Sequence, residues 1–230
     1  MEPAAVLLAT LQLGKELDPA EVQSNWRGLK TGGLTGLLLE EGSVLWLYRR
    51  LRSAGAESAP EPAFVSWLSQ QARDDAARNL LVDARVSQLS EWLTENHYPH
   101  VWIKGVARRV GSLKYPYADA RATNDVDLLL PRDRVEVAWA HLLRSGYEPA
   151  CPPELTPRNH FHLLPLCSTD RVAVELHLST SVRVQPEEAW RRATSSAEIV
   201  KREGLSFTIP CATELLWHAV THGLLHGTVG

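Results

Sequence analysis

The chain has 230 residues, 44% of them hydrophobic, enough to bury the core of one large domain or two small ones. A formal net charge of −3 leaves no global basic footprint for nucleic acid, and three cysteines, odd in number and without a CxxC pair, argue against a disulfide framework and fit a reducing cytoplasm. The Met-Glu-Pro start lacks a signal-peptide pattern, and no stretch approaches the roughly eighteen apolar residues of a membrane span.

The first hundred residues or so read as helical. Pro3 to Leu13 is Ala/Leu-rich and stops at Gly14. Asp18-Pro19-Ala20-Glu21 is a helix start, with Asp18 as N-cap and Pro19 in the first turn. Val22, Trp26 and Leu29 then share one apolar face, and Gly32-Gly33 ends the helix. Val44 to Leu51 is amphipathic, Gly55 to Pro62 is a turn or short linker, and Ala63 to Glu95 is one long helix or two abutting ones.

The pattern changes at Tyr98. Val101-Trp102-Ile103 is β-type, Val106 to Leu113 reads as a helix, and Lys114 to Asn124 as a polar loop. Asp125 to Leu130 is the next strand, and Pro131 opens a helix closed at Gly146. After a proline-rich loop, His160 to Leu166 and Arg171 to Leu178 read as strands, the second alternating cleanly. Pro186 to Ala193 is helical, Leu205 to Ile209 a strand, and Thr213 to His226 a helix. The fold class expected is α+β: a mixed sheet with flanking helices, preceded by an N-terminal helical region. The expected divisions are 1–97, 98–209 and 210–230, the last a C-terminal helix that starts a further helical region.

Chemistry concentrates on Asp125-Val126-Asp127. On a strand both carboxylates project to one face, while Val126 and Leu128 face the core. A doublet of this kind is either an acidic turn at a strand start or a hard oxygen site suited to Mg²⁺. Glu175 also lies on the polar face of an alternating strand, together with His177. If the two strands are neighbours, three carboxylates converge and require a cation; if not, they are separate surface acids. Two Mg²⁺ held by such a trio suit attack on a nucleotide triphosphate. Lys104-Gly105 follows a β-run and opens a helix, where glycine admits a phosphate close to backbone N–H groups. Arg121 is a candidate second phosphate partner or an ordinary loop arginine.

Other residues support weaker readings. His160, His162 and His177 either line an acceptor pocket or are hydrogen-bonded structural residues. Cys151, His160, His162 and Cys167 match no closed zinc spacing. His218, His222 and His226 repeat every four residues and read as a packed or partner-facing helix face.

Ile103-Lys104-Gly105, Tyr115-Pro116, Arg121, Asp125-Val126-Asp127-Leu128-Leu129-Leu130 and Glu175-Leu176-His177, in that order, resemble a bacterial uncharacterised nucleotidyltransferase family of the DNA polymerase beta-like nucleotidyltransferase superfamily. The resemblance spans about residues 98–226. It implies an enzyme that moves a nucleoside monophosphate from NTP to a small-molecule or protein acceptor and releases pyrophosphate. Asp125, Asp127 and Glu175 would be catalytic and metal-binding, with Lys104, Gly105 and Arg121 on the triphosphate. The chain departs from the superfamily at Gly105-Val106, where a Gly-Ser or Gly-Gly turn is usual. That departure keeps a second reading open: a nucleotide- or protein-binding module, such as an antitoxin or regulatory component, with partners reached through the helical regions. A helical adaptor is a third reading. No basic stripe with interleaved aromatics accompanies the acids, so nucleic acid is not an expected partner.

Overall fold

The computed structural model describes residues 2–12, 16–111, 120–152 and 161–226, with side chains up to 221 in the last segment. Tyr115-Pro116 and His160 lie outside the described residues, as do the side chains of His222 and His226. Two compact units emerge: Met1–Leu80 with Tyr115–Thr123, and Leu81–Lys114 with Asn124–Gly230.

The N-terminal unit is helical. It contains α1 (Pro3–Leu11), α2 (Pro19–Trp26), α3 (Leu34–Glu40), α4 (Val44–Ser53) and the first part of α5 (Pro62–Glu95). Asp18 caps α2, its side chain accepting from the Ala20 N–H. Trp26, Leu38, Leu47 and Leu51 form the core with Phe64 and Leu68. The Trp26 indole N–H donates to Thr10 Oγ1 at 2.9 Å, which satisfies a buried donor. One expectation changes here, and one helix is added. The second helix ends at Trp26, because the chain turns left-handed at Gly28 (φ 72°). The Gly-flanked Leu34–Glu40 segment is a helix, held by burial of Leu34 and Leu38 one turn apart.

The second unit is α+β. Its main sheet has the order β1-β2-β5-β4-β3, formed by β1 (Val101–Trp102), β2 (Asp125–Leu129), β3 (Glu148–Pro149), β4 (Leu166–Cys167) and β5 (Ala173–His177). β1 runs antiparallel to β2, and β2 runs parallel to β5. The helices are α6 (Lys104–Val110), α7 (Arg132–Arg144), α8 (Pro186–Ser195) and α9 (Ala212–His226). A hairpin of β6 (Glu198–Arg202) and β7 (Leu205–Ile209) turns through Glu203 (φ 54°) and Gly204 (φ 82°). Two successive left-handed residues give the turn type that matches strand twist.

Period-two alternation assigns the faces of the central strands. Val126, Leu128, Val174 and Leu176 enter one large core with Trp102, Val135, Ala138, Leu142 and the 82–93 stretch of α5. Each fully buried aliphatic there contributes about 1.5–3 kcal/mol. On the other face Val101, Ile103 and Leu129 are covered by Ala193 and Trp190 of α8. That cover leaves the Asp125–Asp127 end of the face for charge. The strand expected over His160 to Leu166 is reduced to Leu166–Cys167 plus one bridge between His162 and His177. Pro165, which has no N–H to give a ladder, explains the break.

Candidate functional site

Parallel pairing of β2 with β5 sets Asp127 directly opposite Glu175, Asp125 opposite Ala173 and Leu129 opposite His177. All six side chains belong to one face. The Asp127 side chain is 1% exposed, that of His177 is fully buried, and Glu175 keeps 17% exposure. Asp127 Oδ1 lies 2.8 Å from His177 Nε2, and Glu175 Oε2 lies 3.3 Å from the same nitrogen. Both partners are carboxylates, so Nε2 carries the hydrogen and donates. His177 Nδ1 is buried without a hydrogen-bond partner. His162 Nε2 stands 3.9 Å from Glu175 Oε2, and Phe161 places its ring 5.5 Å from the His177 ring.

Lys104 completes the cluster. The Ile103 N–H donates to the Asp127 carbonyl at 3.2 Å, which ties the end of β1 to β2. Continued as a strand, Lys104 would follow to the opposite face. The chain turns there instead, with Lys104 in the left-handed region at φ 49°. Its Nζ lies 2.7 Å from Asp127 Oδ1 and 3.5 Å from Glu175 Oε2. Gly105, expected to admit a phosphate close to backbone N–H groups, is not among the positive-φ residues and lies inside α6. With seven residues α6 is a short helix, held from behind by Arg109, whose guanidinium pairs with Asp83 of α5 at 2.6 Å.

The electrostatics follow from burying three acids together. Asp125 is pushed up to about 6, by burial first and then by repulsion from Asp127 and Glu175. Burial also opposes ionisation of Glu175, but the His177 hydrogen bond and the Lys104 charge overcome it and hold the carboxyl well below its ordinary range. Burial disfavours the charged forms of His177 and Lys104, and the neighbouring carboxylates outweigh it in both, raising their pKa values.

Among the described residues, Asp127, Glu175 and His177 form a group able to hold a metal ion, with ligand atoms all within 4.8 Å of one another. The two carboxylate oxygens suit a divalent cation, with the imidazole nitrogen a third ligand once it gives up its proton, and the surplus negative charge favours one. The sequence pattern placed Asp125, Asp127 and Glu175 on one polar face, and the structure brings Asp127 and Glu175 together with Lys104. His177 is the residue that reasoning underweighted. Its position two after Glu175 signalled the shared face, but not that its ring spans both acids.

Arg121 belongs to the N-terminal unit, where its side chain is exposed and its backbone carbonyl accepts from Asn79 Nδ2 at 3.2 Å. Cys151, His162 and Cys167 form no three-ligand group among the described residues. His218 is buried in α9, and desolvation lowers its pKa to about 4. It is a packed residue, as the helical spacing allowed. No described helix is long and apolar enough to cross a membrane.

No curated protein matches the chain. The sequence model of the uncharacterised nucleotidyltransferase family matches residues 34–230, a span that takes in β1, β2, β5 and every member of the acid cluster. With that match and a mixed sheet carrying paired acids, the chain belongs to the uncharacterised nucleotidyltransferase family.

Proposed function

We propose that the chain transfers a nucleoside monophosphate from an NTP to a hydroxyl-bearing small molecule or protein side chain, in a Mg²⁺-dependent reaction. The observation that carries the reading is the register of Asp127 opposite Glu175, with Asp125 on the same face. The acceptor oxygen bonds to the α-phosphorus, the bond to the bridging oxygen of the β-phosphate breaks, and pyrophosphate leaves. Asp125, Asp127 and Glu175 would hold two Mg²⁺. The ions would supply charge neutralisation and Lewis-acid polarisation of the phosphoryl oxygens. His177 donates to both carboxylates and fixes their orientation, as partners of metal-ligating groups commonly do. Glu175, the more accessible of the two paired acids and strongly ionised, is placed to accept a hydrogen bond from the acceptor hydroxyl and align it. Its low basicity leaves the proton to pass to water. Lys104, which touches both acids, and the backbone at Gly105 would meet the triphosphate charge.

The test is a pyrophosphate-release assay over ATP, GTP, CTP and UTP with candidate acceptors. Asp127→Asn and Glu175→Gln are expected to abolish release while leaving the fold intact. Undiminished release in both variants refutes the assignment.

One observation favours a second reading, a nucleotide- or protein-binding module such as an antitoxin or regulatory component. Lys104 already neutralises Asp127 from within the chain, as expected of a site that has no need of a metal. Calorimetry with each NTP, with and without Mg²⁺, separates the two when run beside the release assay. Nucleotide binding without release in the presence of acceptors supports the module.

A further inference from the structure

The oxygens that a metal would need are the oxygens that Lys104 holds. Asp127 Oδ1 receives both the Lys104 ammonium at 2.7 Å and His177 Nε2 at 2.8 Å. Glu175 Oε2 receives the same two groups at 3.5 and 3.3 Å. A divalent cation bound to these oxygens would stand within a few ångströms of the ammonium, and like charges that close repel strongly in a partly buried setting. The imidazole can keep its ring in place as a neighbour that donates from Nε2, or become a ligand by giving up that proton. The ammonium, with no lone pair to offer, has to leave.

The backbone at this point is consistent with a displaceable group. Lys104 sits at φ 49°, a region costly for a residue with a Cβ, and such strain persists where surrounding contacts over-determine it. Here the contacts are the ion pairs to Asp127 and Glu175 and the Ile103–Asp127 backbone bond. At 24% exposure its side chain borders solvent, whereas Asp127 and His177 are sealed. A flexible four-carbon stem can therefore swing outward without opening the core.

We infer that Lys104 is a built-in counter-ion that occupies the cation position of the empty site and is displaced when a divalent metal binds. The inference rests on the metal-dependent reading of the same acids. It adds an internal competitor, so metal affinity is set by the acids minus the cost of expelling the ammonium. It also resolves the two demands on Lys104. In the empty site its charge suppresses repulsion among Asp125, Asp127 and Glu175. Once expelled, the same charge is available at the rim of the site for the phosphates of an incoming nucleotide.

The experiment is Mn²⁺ titration of the full chain without nucleotide, followed by calorimetry and by the Mn²⁺ spin-resonance signal, in wild type, Lys104→Met, Lys104→Arg and Asp127→Asn. Lys104→Met is expected to bind Mn²⁺ about tenfold or more tightly than wild type, the result of removing a competing positive charge. Its metal-free form should melt lower and gain more from Mn²⁺. Lys104→Arg keeps the charge and should bind close to wild type, a comparison that survives if the methionine variant folds poorly. Equal or weaker Mn²⁺ binding by Lys104→Met, while wild-type binding is abolished by Asp127→Asn, overturns the counter-ion and leaves the metal site standing. Absence of Asp127-dependent Mn²⁺ binding in both wild type and Lys104→Met removes both.

Discussion

The second unit contains two buried ion-pair networks of opposite character. At one, Arg85 of α5 donates Nε and Nη2 to Asp170 Oδ2 at 3.1 and 2.7 Å, Nη1 to the Tyr147 hydroxyl at 2.7 Å, and Nη2 to Ser168 Oγ. Asp170 Oδ1 accepts from the Val172 N–H, and the guanidinium lies over the Tyr147 ring. One positive charge meets one negative charge, and every arm of the guanidinium has an acceptor. At the other network three acids crowd a single lysine in a strained conformation, and a fully buried imidazole has an unpartnered nitrogen. The first network is closed and needs nothing from outside. The second is under-neutralised, and the missing charge is what a divalent cation would bring. Burial alone does not separate a staple from a site; balance does.

That contrast can be broken at four places. The largest effect is expected at the acid cluster: Asp127→Asn should lower turnover by about 10³-fold or more, with a smaller change in melting temperature than the staple variants show. Initial rates of pyrophosphate release, set beside thermal melts of the same preparations, check both halves. Arg85→Met should do the reverse. Leaving Asp170 and the Tyr147 and Ser168 hydroxyls without their donor costs about 3 kcal/mol in denaturant unfolding, while Mn²⁺ binding in the folded fraction stays at the wild-type value.

A third, smaller effect lies outside both networks, at His218, which faces Glu214, Arg192, His177 and Lys104. Its folded pKa of about 4 lies below the ordinary 6.5, so the imidazole charges more readily in the unfolded chain. Wild type should therefore lose stability as pH falls below about 6.5, the loss levelling off below about 4 and amounting to at most about 3 kcal/mol. His218→Gln should flatten that part of the curve, and unfolding midpoints from pH 7 to 4 for both proteins decide it. The smallest effect belongs to Arg191→Ala. It removes a bidentate pair with Glu188 in which the side chains are 66% and 44% exposed, and it should shift stability by less than about 0.5 kcal/mol. A larger shift would mean that geometry without burial makes a staple.

The same contrast explains what the amino-acid order disclosed. Alternation over Asp125–Leu130 and Arg171–Leu178 told which side chains share a face, because the strand period is two regardless of neighbours. It could not tell that Asp127 falls opposite Glu175, since register depends on how two distant segments slide. Leu34–Glu40 lies just past the Gly32-Gly33 stop and shows no helical signal of its own; burial of Leu34 and Leu38 holds it. Glu198–Arg202 carries no apolar alternation; its strand exists because the Glu203-Gly204 turn folds it onto β7. Lys104 was legible as a cation near a turn, but its left-handed backbone and its ion pair with Asp127 join segments that no local pattern relates.

The parallel pairing of β2 with β5 has a consequence for how the molecule comes into being. Asp127 and Glu175 are 48 positions apart in the chain, and α7, β3 and β4 intervene. Parallel neighbours cannot be joined by a tight turn, and closing so long a loop is entropically slow compared with forming the helices on either side. The two carboxylates therefore meet only after the crossover has wrapped and the apolar face has closed beneath them. Refolding followed by Mn²⁺ capture would then lag behind the recovery of helical signal, and metal uptake would serve as a clock for the last long-range step of assembly.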